Sequence, residues 1–174
     1  MKQIHPVGEL AELLEEFDRI GGVVEYDFFH EDRAGTPESF HREAAIAGLP
    51  HHQRNEHLLN GGPISWETFW GTDDVEPKQI ADNAWSTAGV DGYKTAFFLP
   101  PHDLAGSPEE KRRLFERINR HVFGANPANV EIFGWSTNWS DYFDQGHEWW
   151  GAFYWTIRPR RGRDFVVIGA SATD

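Results

Sequence analysis

The segment from Trp135 to Trp155 holds five of the eight tryptophans in the chain. Side chains alternate across an extended backbone. Read as a strand over residues 148–157, the segment turns Trp149, Phe153, Trp155 and Ile157 to one side. Trp150, Ala152 and Tyr154 turn to the other. Both sides are then apolar, whereas a strand with one solvated face carries polar residues there. The stretch therefore predicts an interior strand covered on both faces.

The rest of the chain supplies the cover. Leu10, Leu13, Leu14, Phe17 and Ile20 recur at helical spacing before Gly21-Gly22. A strand over 23–29 follows, with Val24, Tyr26 and Phe28 on one face and Glu25 and Asp27 opposite. Thr36-Pro37-Glu38 opens a second helix that stops near Gly48, and residues 51–59 read as a third. Residues 64–70 and 79–85 are short and ambiguous, with Ser65 placed to cap the former. Residues 93–99 read as a strand stopped by Pro100-Pro101. Ser107-Pro108-Glu109-Glu110 carries a capping box and starts a helix that runs to Gly124. Strands over 130–136, 148–157 and 165–171 close the chain, the last two joined as a hairpin through Pro159-Arg160-Arg161-Gly162. Helices gather early and strands late, without an internal repeat or linker. This predicts a single α+β domain over 1–174, with a mainly antiparallel sheet of about five strands and helices packed on it. The unit from residue 93 to 130 has a parallel crossover as its alternative.

Charge and composition narrow the partners. The net charge is −12, and residues 1–100 hold 18 acids against 7 Lys/Arg. Such a surface repels phosphate backbones and steers cationic proteins, so a basic protein partner is expected and nucleic acid is not. The chain has no cysteine, which removes thiolate chemistry and cysteine metal sites. It has no signal-type apolar stretch and no run of membrane-spanning length. These features predict a cytoplasmic protein.

Candidate chemistry gathers around the tryptophans. Trp135, Trp139, Asp141, Tyr142, Asp144 and Trp149 are the binding candidates, because a loop mixing acids with aromatics suits a basic partner. If the chain is an enzyme, Asp144, His147 and Glu148 are the catalytic candidates, a histidine among carboxylates being suited to proton transfer. Asp144 and either His147 or Glu148 would converge on a pocket lined by Trp135, Trp149 and Trp155, on the order of several hundred Å³. On a strand, however, His147 and Glu148 point to opposite faces. His51, His52 and His57, and the run His30-Glu31-Asp32, are nitrogen- and oxygen-rich but match no metal-ligand spacing, so no metal is assigned. No phosphate loop or dinucleotide fingerprint occurs, and no cofactor is expected.

A small, acidic, cysteine-free α+β domain is similar in general pattern to bacterial immunity proteins, which neutralise toxin domains. The similarity is one of composition and transfers no residue. The reading that follows is a non-catalytic acidic binding module, concretely an immunity-type inhibitor of a basic toxin domain. The alternative is a small-ligand-binding protein or hydrolase-like enzyme using the tryptophan-lined pocket.

Overall fold

The computed structural model describes residues 1–71, 92–125 and 127–171, and the side chains of residues 127 and 149 are not among what it describes. The expected element over 79–85 lies outside the described residues. Six strands form one sheet: β1 (Lys2–Ile4), β2 (Val24–His30), β3 (Gly61–Pro63), β4 (Val130–Trp135), β5 (Ala152–Pro159) and β6 (Asp164–Ser171). Their order is β1-β2-β6-β5-β4-β3, and every neighbouring pair is antiparallel. The architecture is α+β as expected, with six strands rather than five. The two additions are the short edge strands β1 and β3.

Strand β5 lies between β4 and β6 and is covered on both faces. Phe153, Trp155 and Ile157 join one core with Val24, Val166, Ile168 and Ala170. Tyr154 joins the other, with Phe29, Phe165 and Val167. Helices α1 (Glu9–Arg19), α3 (Trp66–Trp70), α4 (Tyr93–Phe98) and α5 (Pro108–Phe123) feed the first core. Helix α2 (Pro37–Ala47) covers the second with Phe40, Ala44 and Ala45.

Three expectations fail, each for a packing reason. Residues 93–98 are the helix α4 and not a strand, which also removes the parallel crossover. Tyr93, Ala96 and Phe97 lie three and four apart, and as a helix they bury one face completely. Tyr93 stacks on Phe69 at 5.0 Å and on Phe115 at 5.6 Å. Its hydroxyl donates to Asn119 Oδ1 at 2.7 Å. Second, residues 51–59 hold only a 3-10 turn over Glu56–Leu58. This polar stretch has no apolar face, and its backbone bonds a distant loop. The Asn55 amide donates to the Trp139 carbonyl and the Asp141 amide to the Gln53 carbonyl.

Third, the strand expected over 148–157 begins at Ala152, and the residues before it form the helix α6 (Asp144–Trp149). The Gly151 amide donates to the Gly146 carbonyl at 2.7 Å. A β-carbon at Gly146 would collide with the Gly151 carbonyl. Gly151 itself has φ 151°. Two glycines thus let the helix fold tightly onto the strand that follows. Trp150 consequently packs in the same core as Phe153 rather than opposite it.

The cap read from Ser107 is present in full. Its side chain accepts from the Glu110 amide, and the Glu110 carboxylate accepts from the Ser107 amide at 2.8 Å. Ser107→Ala should therefore lower stability by about 1 kcal/mol, the usual cost of losing an N-cap. Urea unfolding monitored by circular dichroism reads this directly. An unchanged midpoint would show that the cap carries no stability here.

Candidate functional site

The sequence candidates scatter. Trp139 is 1% exposed and lies inside the second core, against Phe143 and Tyr154. Its ring has no open face to offer a partner. Trp135 is half-buried, and its indole N–H donates to Thr156 Oγ1 at 2.9 Å. Asp141 is 43% exposed, but it accepts from the Gln53 amide and meets His52 Nδ1, both at 3.1 Å. Trp149 ends α6, and its side chain lies outside the described atoms.

Asp144, His147 and Glu148 stand on α6, where spacings of three and four put them on one helix face. The strand argument that split His147 from Glu148 therefore does not apply. All three are exposed. His147 Nε2 lies 2.7 Å from Thr137 Oγ1, and no hydrogen bond or ion pair joins the three to one another among the described contacts. They form a polar helix face rather than a pocket.

A tryptophan-lined groove does exist, without those residues. It measures about 500 Å³ and is walled by Trp135, Trp155, Phe153, Ile64, Asn60 and Ser136, among others. It opens where β4 leaves β5: their pairing stops at Gly134 opposite Trp155, while β5 continues back to Ala152. Among the described residues, no acid or histidine lines it. Asp144, His147 and Glu148 are not among the residues that line it.

A second groove, of about 470 Å³, lies between α1 and the edge of β2. Asp18, Glu25 and Asp27 stand along it, over a lining that includes Leu14 and Phe17. The Glu25 pKa is raised by burial first and by Asp27 next, with a smaller push from Asp18. The Asp27 pKa is raised by burial, partly offset by a hydrogen bond from Gln3 Nε2 at 3.1 Å. The Tyr142 hydroxyl lies beside Glu25, without a well-formed hydrogen bond. Burial, then the Glu25 charge, holds its proton on. The period-two pattern had already put Glu25 and Asp27 on one face of the strand. Glu25 stays exposed there and Asp27 is half-buried, and nothing local shows that Tyr142, more than a hundred residues later, comes to lie beside Glu25.

Outside the grooves, His30 is held by carboxylates. His30 sits between Asp164 and Asp32, at 2.6 and 2.7 Å, which raises its pKa. Glu31 is gripped by Arg33 through both carboxylate oxygens, at 2.9 and 2.6 Å, and its pKa falls to about 2. His51 and His57 are exposed. No group of three or more metal-ligating side chains forms among the described residues. The basic hairpin is partly spent inside the chain, with Arg158 and Arg160 on Glu131 and Arg163 on the Asp32 carbonyl.

His41 differs from the other histidines. It is fully buried, with its ring stacked on Phe133 at 4.2 Å. Its Nδ1 lies 2.8 Å from Thr156 Oγ1, the oxygen that already accepts from Trp135. Burial first, then Arg158, lowers its pKa to about 3. Since Trp135 supplies one proton to Thr156, the threonine hydroxyl is available to donate to Nδ1, leaving the imidazole neutral with its proton on Nε2. That Nε2 has no partner. His41 has no solvent access and packs as a buried neutral ring.

No helix among the described residues is long and apolar enough to cross a membrane. No family model matches the chain, and no curated protein or solved structure matches it either.

Proposed function

We propose that this chain is a non-catalytic, acidic protein-binding module of the cytoplasm, and concretely an immunity-type inhibitor of a basic toxin domain. The observation that carries the reading is an acidic face on which no ion pair forms among the described residues. On α1, Glu12, Glu15, Glu16 and Asp18 have no ion pair among the described residues, and Asp18 lies near enough to Glu25 to raise its pKa. Glu25 is exposed and Asp27 half-buried on the same face of β2, and the Asp27 charge opposes that of Glu25. A cationic partner relieves that repulsion and gains from it, because charge complementarity steers encounter and stabilises close pairs.

The test is direct. A basic toxin domain encoded by the neighbouring reading frame should bind the chain at low salt, with affinity that falls as salt rises. Reversing Glu12, Glu15, Glu16 and Asp18 to lysine should weaken binding at least tenfold in isothermal titration. Failure to bind at low salt, or binding indifferent to the reversal, would overturn the reading.

The groove at Trp135 and Trp155 favours one further reading, a small-ligand-binding protein. Its aromatic walls suit a planar or sugar ring. Quenching of tryptophan fluorescence by such a ligand, lost in Trp155→Leu with the fold intact, would favour it over the acidic-face reading.

A further inference from the structure

Strand β2 pairs with β6 along its whole length, from Val24 opposite Ala170 to His30 opposite Asp164. On its other side β1 covers Phe28, Phe29 and His30 alone. In an antiparallel pair, alternate residues exchange both backbone hydrogen bonds with the partner. The Glu31 amide donates to the Arg163 carbonyl at 3.0 Å and continues the β2–β6 register. The odd-numbered residues of β2 therefore bond inward to β6. Val24 and Tyr26 turn their N–H and C=O groups outward, beyond the end of β1, and no backbone group among the described residues receives them.

The open edge runs along the acidic groove. The stretch of β2 left unpaired by β1, residues 24–27, matches about four residues of extended chain, ~13 Å at ~3.3 Å each. Resting on the acidic-binding reading, we infer that an extended segment of a basic partner protein adds here as a seventh strand, in the antiparallel orientation that β1 already takes. The pleat dictates its pattern. Side chains opposite Val24 and Tyr26 fall on the face of Leu14 and Phe17 and must be apolar. Those opposite Glu25 and Asp27 fall on the acidic face and must be Lys or Arg. The same charges disfavour a second copy of this chain as the occupant, since pairing two β2 edges brings like carboxylates together.

The experiment uses the full chain, labelled with ¹⁵N, at low salt. Three six-residue probes are compared: alternating Val-Lys, a block peptide of three Val then three Lys, and alternating Val-Glu. The alternating Val-Lys peptide should slow hydrogen exchange of the Val24 and Tyr26 amides at least tenfold. The Glu25 amide, already bonded to β6, should change little. The block peptide, equal in charge and composition, should bind at least tenfold more weakly, and the Val-Glu peptide should not bind. Glu25→Gln with Asp27→Asn should weaken the alternating peptide at least tenfold. If both cationic peptides bind alike and the two amides stay unprotected, strand addition is overturned while the acidic-face reading stands. If neither cationic peptide binds, strand addition is overturned, and the acidic-face reading then rests on the toxin-domain titration alone. If the Val-Glu peptide binds as well, the charge assignment is wrong.

Discussion

Trp139→Ala should lower the stability of the chain by about 3–5 kcal/mol, the range for truncating a large buried aromatic. Trp139 packs with Phe143 and Tyr154 beneath α2 and is almost wholly enclosed. Its indole N–H has no hydrogen-bond partner. Trp139→Phe should therefore cost markedly less than the alanine change, because it removes an unsatisfied donor while keeping most of the ring volume. Urea unfolding of the wild type and the two variants measures both differences. Were the alanine variant as stable as wild type, Trp139 would instead be a surface anchor and the packing described here would be wrong.

Acid should destabilise the chain through His41 in a way that a single substitution removes. The ring is held neutral, with its pKa near 3 rather than 6.5. Between those values the unfolded chain binds a proton that the folded chain refuses. The stability due to the neutral ring is therefore fully present above pH 6.5, falls as pH drops from 6.5 toward 3, and levels off below that. At about 1.36 kcal/mol per pH unit the whole window corresponds to roughly 5 kcal/mol, a sizeable part of the stability of an ordinary domain. His41→Phe keeps a ring against Phe133 and leaves Thr156 to accept from Trp135. Unfolding free energies from urea titrations at pH 7, 6, 5 and 4.5 should fall more steeply for wild type than for the variant, by about 1.4 kcal/mol per unit below pH 6. Parallel curves would show that His41 takes up its proton without unfolding the chain. Because other carboxylates titrate in both proteins, the difference between the curves is the quantity to read.

Both predictions concern groups whose environment is invisible along the chain. Trp139 lies in a loop with Asp141 and Tyr142, and local composition marks it as a contact residue. Only the strand on which it lands, with Tyr154 facing it, makes it core. His41 sits in a helix whose start and stop could be read, yet nothing near it indicates Thr156 or Phe133, which arrive from two strands more than ninety residues away. The enzyme candidates show the same limit in reverse. Asp144, His147 and Glu148 share a helix face because Gly146 and Gly151 allow a tight return, not because of anything in their own alternation.

What the sequence determined by itself is what local physics controls. Periodicity specified α1 and α5, and side-chain caps specified the starts of α2 at Thr36 and α5 at Ser107. Period-two alternation specified β2 and the central part of β5, including the burial of both β5 faces. Net charge is a sum over residues and needs no fold. Tertiary structure decided whatever depends on contacts between distant segments. It made residues 93–98 a helix, because Phe69, Phe115 and Asn119 reward that face more than a strand edge would. It drew residues 53–55 into backbone pairing with the loop at 139–141. It also ended β1 short along β2, leaving the acidic edge open. A short segment with weak local preference takes the conformation that its non-local partners pay for, and those partners cannot be identified until the chain has folded.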